Sequence, residues 1–165
     1  MDSVSEARLQ SVYPPLADRV RRMAVMLALE GIDIRVVQAF RTTAEQQALY
    51  EQGRSHEGKI VTNCQGGHSY HNFGLAVDCC PSTHGPGEPF DADWHAEHPQ
   101  WKRMVAIGQS LGLDSGATWR TFKDFPHFQL TGRFPEGAPT EELRDLARDH
   151  GIEAVWAEVS QTVTA

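Results

Sequence analysis

The chain lacks any apolar run near the ~20 residues needed to span a bilayer, so no membrane insertion is expected. It also lacks a basic then apolar amino terminus. Met1-Asp2-Ser3-Val4-Ser5-Glu6-Ala7 is polar and acidic, which does not read as a secretory signal. The expectation is synthesis in the cytoplasm, with release or export by another route if the protein works outside it. Cysteine is scarce and odd in number. Cys64, Cys79 and Cys80 make neither a disulfide framework nor a paired C-x-x-C zinc motif. Free thiols are the simplest expectation, with a bridge from Cys64 to Cys79 or Cys80 as the alternative. Positive charge is short as well: 15 Lys and Arg against 22 Asp and Glu give a net charge of −7. That balance argues against nucleic-acid binding and against simple adhesion to an anionic surface. There is no internal repeat and no low-complexity tract.

What is present suits a single domain and a monomer. A chain of 165 residues buries roughly two-thirds of its unfolded surface without needing covalent staples. Helical spacing predicts a short helix over 5–12, stopped by Pro14-Pro15, and a second over 16–29 ending at Gly31. The β-branched run 34–37 predicts a strand. Thr42-Thr43-Ala44-Glu45 is a capping box, opening a helix that closes at Gly53. Residues 75–78 predict a strand entered through Gly74, and 125–130 predict another. Helices are expected over 101–111 and 139–150, the latter within a helical extension of about 139–160. Helices with few strands and no regular alternation indicate an α+β fold. Between them, 81–99 is rich in Pro, Gly, His and acids and reads as a long surface loop.

Two segments concentrate chemistry. Ser69-Tyr70-His71-Asn72-Phe73-Gly74-Leu75-Ala76-Val77-Asp78 sets an imidazole and a carboxylate on either side of a glycine that can turn the backbone sharply. Asp124-Phe125-Pro126-His127-Phe128 adds a second imidazole, three residues after another carboxylate. Two imidazoles and one carboxylate are the donor types of catalytic zinc, which leaves a position open to water. A spare carboxylate could serve as base and acid. Spacing alone leaves open histidines that are merely solvated or internally satisfied.

The pattern Ser69-x-His71-x-x-Gly74-x-Ala76-x-Asp78 resembles the signature of the D-alanyl-D-alanine carboxypeptidase / L-alanyl-D-glutamate peptidase family, zinc peptidases of bacterial cell-wall stem peptides that include VanY-type carboxypeptidases and phage endolysins. Asp124-x-Pro126-His127-Phe128 resembles its second motif. Phe40-Arg41-Thr42, with Glu45-Gln46 and Leu49-Tyr50, resembles the segment that brings an arginine into the active site. The likeness covers about residues 5–132.

The resemblance implies the hedgehog/DD-peptidase fold, a small antiparallel sheet flanked by helices. It implies one Zn2+ held by His71, Asp78 and His127, with Asp124 as general base and acid. Arg41 would contact substrate or oxyanion, and Ser69 would support the ligand loop. A peptidoglycan stem peptide is the implied substrate. L-Ala–D-Glu endopeptidase activity is favoured over terminal D-Ala removal, and a non-catalytic zinc module of the same fold is the alternative from another class. The stretch Asp114-Ser115-Gly116-Ala117-Thr118-Trp119 departs from the family's Trp-Gly-Gly run. Loop residues His84, His95 and His98, with Glu88, Asp91, Asp93 and Glu97, read as a solvated polar loop, though a second metal could be drawn there. His68 reads as a turn residue, and the four tryptophans as core or rim packing.

Overall fold

In the computed structural model, residues 1–135 and 137–163 are described. Among them are six α-helices and a four-stranded antiparallel sheet. The α-carbon contacts divide the chain into two compact units. One comprises Met1–Ala39 and Ala76–Leu130, the other Phe40–Leu75 and the described residues from Thr131 onward. No described helix is long and apolar enough to cross a membrane.

The first unit holds the whole sheet, in the order β1 (Ile34–Gln38), β2 (Ala76–Pro81), β4 (His127–Gln129), β3 (Asp114–Ser115). α1 (Ser3–Leu9) packs on β1. Its start is fixed by the Asp2 carboxylate, which accepts from the Ser5 N–H at 2.8 Å and also pairs with Arg35 of β1. α2 (Pro14–Ala28) turns Leu16, Val20, Met23 and Leu27 inward, the i, i+3, i+4 spacing of an amphipathic helix. The expectation that Pro14-Pro15 only ends the preceding helix is corrected here. These prolines are the first two residues of α2, where a missing N–H costs nothing and a fixed φ suits the helix.

α4 (Pro99–Ser110) packs on α2 and on β2 and β3, burying Trp101, Met104 and Ile107. Burying each such side chain fully contributes about 1.5–3 kcal/mol. The helix comes closest at Gly108, where a Cβ would lie 2.5 Å from the Phe128 ring of β4. Both faces of β2 are covered, and its only partly exposed position is Asp78.

The second unit contains α3 (Thr43–Glu51), a 3-10 turn at Tyr70–Phe73, α5 (Glu141–His150) and α6 (Ile152–Val163). The capping box is formed as expected: Thr42 Oγ1 accepts from the Glu45 N–H, and Glu45 accepts from the Thr42 N–H. α5 begins at its Thr140 cap and breaks at Gly151, whose φ of +86° suits glycine. α5 and α6 pack together as a hairpin. All three cysteines are free thiols, which removes the disulfide alternative.

Candidate metal centre

Strand register places two of the candidate ligands within the first unit. β2 and β4 run antiparallel, with Asp78 directly opposite His127. Opposed residues leave the same face of a sheet with Cβ atoms ~4.5–5.5 Å apart. Asp78 Oδ1 accordingly lies 3.4 Å from His127 Nδ1. Gln129 follows two residues after His127, so it shares that face. Its Oε1 meets His127 Nε2 at 2.9 Å, and its amide nitrogen donates to Asp114 Oδ2 at 2.8 Å. Asp114 is the cross-strand partner of Gln129 on β3.

This chain of contacts sets a tautomer. Asp114 accepts from the Gln129 amide nitrogen, so the amide oxygen must face His127. An amide oxygen only accepts, so His127 Nε2 carries a proton and Nδ1 is presented toward Asp78. Burial pushes the His127 pKa down, but the hydrogen bond and charge of Asp78, with help from Gln129 and Asp124, outweigh it and raise the pKa. The Nδ1 proton is thus held where a cation would take its place.

Asp124 is half-buried just before β4. Its N–H donates to the Gly116 carbonyl at 3.0 Å, and its own carbonyl accepts from the His127 N–H at 3.2 Å. The approach needs a glycine, since a Cβ at Gly116 would lie 2.5 Å from the Asp124 carbonyl oxygen and 3.1 Å from His127 Cβ. Trp119 places its ring 5.0 Å from the His127 ring.

In the second unit, His71 sits in a short capped turn. Ser69 is the N-cap of the Tyr70–Phe73 turn; its hydroxyl accepts from the His71 N–H, and the Asn72 side chain returns to the Ser69 N–H. Gly74, at φ +63°, closes the turn by donating to the His71 carbonyl. His71 is buried, as are Tyr70 and Phe73. The Arg41 N–H donates to the His71 carbonyl at 3.1 Å, and the Arg41 carbonyl accepts from Asn72 Nδ2 at 2.8 Å. Arg41 Nη1 donates to Gln46 Oε1 at 2.7 Å, and fully buried Gln46 also donates to the Cys64 carbonyl. From the carboxyl-terminal hairpin, the Trp156 indole donates to the Phe73 carbonyl at 2.8 Å.

Asp78 and His127 each offer a ligand atom within the first unit, and His71 offers an imidazole in the second. Two imidazoles and one carboxylate fit a catalytic zinc ion. Asp93, His95 and His98 bring their ligand atoms within 4.8 Å of one another, in the loop that reads as solvated from sequence. His68 is exposed. Gln129, Asp114 and Gln46 were not apparent as functional residues. The one available signal was a polar residue two positions after His127, on the same face of a strand.

Residues 62–130 match the family described as D-alanyl-D-alanine carboxypeptidase. The chain is 34% identical over 122 residues to the peptidoglycan L-alanyl-D-glutamate endopeptidase CwlK of Bacillus subtilis (strain 168), over 72% of this chain and 73% of that one. It is 31% identical over 126 residues to the L-alanyl-D-glutamate peptidase of Listeria phage A118, over 72% of this chain and 40% of the phage enzyme. The crystal structure of the L-Ala D-Glu endopeptidase ChiX of Serratia marcescens matches with a TM-score of 0.55 and 25% identity, over 92% of both chains. On these grounds the chain belongs to the M15 peptidase family, the zinc-dependent D-alanyl-D-alanine carboxypeptidases and L-alanyl-D-glutamate peptidases.

Proposed function

We propose that the protein, acting as a monomer at the bacterial cell wall, hydrolyses the amide between L-alanine and D-glutamate in peptidoglycan stem peptides. One zinc ion would be held by His71, Asp78 and His127. What carries the reading is that Asp78 and His127 face each other across β2 and β4, 3.4 Å apart, in a chain 34% identical to an endopeptidase named for that bond.

Bound zinc supplies a Lewis acid that acidifies water toward a pKa of ~7 and polarises the scissile carbonyl. The protein's own groups do the rest. Gln129 holds the His127 Nε2, which would leave Nδ1 as the nitrogen to bind zinc. Asp124 takes the proton of the attacking water and delivers it to the departing D-glutamate nitrogen. Arg41, held by Gln46, offers positive charge to the oxygen that becomes anionic. Water is added across the amide, leaving a carboxylate on L-alanine and a free amine on D-glutamate.

Mass spectrometry of muropeptides released from purified sacculi tests this. New D-glutamate amino termini are expected. Loss of only a terminal D-alanine would instead identify a carboxypeptidase. A zinc-loaded protein that leaves every stem peptide intact would be a non-catalytic module.

A further inference from the structure

The loop between β2 and α4 holds the second convergence of metal-ligating side chains. Asp93 is 0% exposed, and its carboxylate accepts four hydrogen bonds. Oδ1 accepts from the His95 N–H and from His95 Nδ1, both at 3.1 Å. Oδ2 accepts from His98 Nδ1 at 2.9 Å and Gln100 Nε2 at 2.8 Å. The main chain of Asp93 is pinned to the core: its N–H donates to the Pro81 carbonyl, and its carbonyl accepts from the buried Trp101 indole, both at 2.9 Å.

Burial and capping do not account for the two imidazoles. A buried carboxylate needs donors, but the His95 N–H and the Gln100 amide already give one to each oxygen. Nor does Asp93 cap α4, whose N-cap is His98 with no side-chain cap bond. The side chains of His95 and His98 are 65% and 46% exposed, so water could satisfy both rings. Instead each turns Nδ1 inward, and the rings stack with centroids 5.0 Å apart.

We propose that Asp93, His95 and His98 form a second divalent-cation site, separate from the His71–Asp78–His127 centre. Two imidazole nitrogens and one carboxylate oxygen select a zinc-class ion over calcium or magnesium, which prefer all-oxygen sites. On binding, the Nδ1 protons of the neutral rings move to the solvent-facing Nε2 atoms, and the ion takes their place beside the carboxylate. The His95 N–H and Gln100 continue to hold the carboxylate, as Gln129 holds His127. Water completes the coordination, because the rings are open to solvent. The ion ties residues 93–98 to the start of α4.

Equilibrium dialysis of the full chain, without a polyhistidine tag, against micromolar Zn2+ tests the site. Two equivalents are expected for wild type, one for the H95Q/H98Q double variant, one for H127A, and none for the triple variant. A wild-type count of one that H127A abolishes, or a double variant that still binds two, overturns the second site. A count of one that only H95Q/H98Q abolishes keeps it and removes the first centre instead, so the two readings fail separately. If H127A does not fold, the double variant alone decides.

Discussion

The two His–Asp clusters use the same donors in opposite frames. In the His71–Asp78–His127 group both imidazoles are buried, and Asp78 and His127 sit on paired strands. In the Asp93–His95–His98 group the carboxylate is buried and the imidazoles are exposed. Asp78 is paired with Gln38 on one side and with His127 on the other, so backbone pairing fixes its place in the sheet. The loop group is organised from its carboxylate outward, and its rings face solvent. A strand-paired Asp78–His127 couple with Asp124 three residues before His127 suits catalysis, which requires positions held before substrate arrives. An open set on a loop suits tethering.

The comparison breaks most sharply at the ligands. His127→Ala should lose the buried zinc equivalent and all measurable cleavage of sacculi. Asp124→Asn should keep zinc, by metal analysis, while kcat falls about 10²–10⁴-fold, the usual range for a lost general acid–base. Retained activity in that variant would assign the proton transfer elsewhere. Gln129→Leu comes next. It removes the acceptor that sets the His127 tautomer, so zinc affinity by competitive chelator titration should weaken about 10–100-fold. Unchanged affinity would mean that strand pairing alone orients the ring. Gly116→Ala should cost about 1–3 kcal/mol in denaturant unfolding, because the new methyl would strike the Asp124 carbonyl oxygen at 2.5 Å.

These residues also mark where the sequence was legible. The ligand turn could be read because its chemistry is local: Ser69, His71, Gly74 and Asp78 lie within ten residues. The Thr42–Glu45 box is local in the same sense. Pro14-Pro15 misled because proline both ends and begins helices, and only the following apolar spacing decides. β3 was not readable, since two residues become a strand only through their pairing with β4. Gln129 matters through a cross-strand neighbour, which no one-dimensional pattern encodes. The Asp93 cluster could be drawn but not fixed from sequence: its histidines converge on an Asp93 anchored by Pro81 and Trp101, contacts that no spacing within the loop encodes.

The smallest expected effect concerns the strand that serves both clusters. β2 carries Asp78, and two residues later the Cys80 thiol approaches the Asp93 carbonyl at 3.5 Å. Cys79 lies between them, fully buried, its N–H bonded to the Pro126 carbonyl at 2.9 Å. Burial, with the nearby Asp78 charge, pushes the Cys79 thiol far up; burial, with the Asp93 charge, pushes Cys80 up to about 12. Since the thiolate is the reactive form, Cys80 at pH 8 would be ionised in only about one molecule in ten thousand. A disulfide-exchange reagent at pH 8 should therefore titrate Cys64 alone in the native protein and all three thiols after denaturation. If Cys79 or Cys80 reacts in the native state at a rate near that of Cys64, β2 opens readily. The contrast between a strand-borne Asp78–His127 pair and a loop-borne Asp93 cluster would then lose its structural basis.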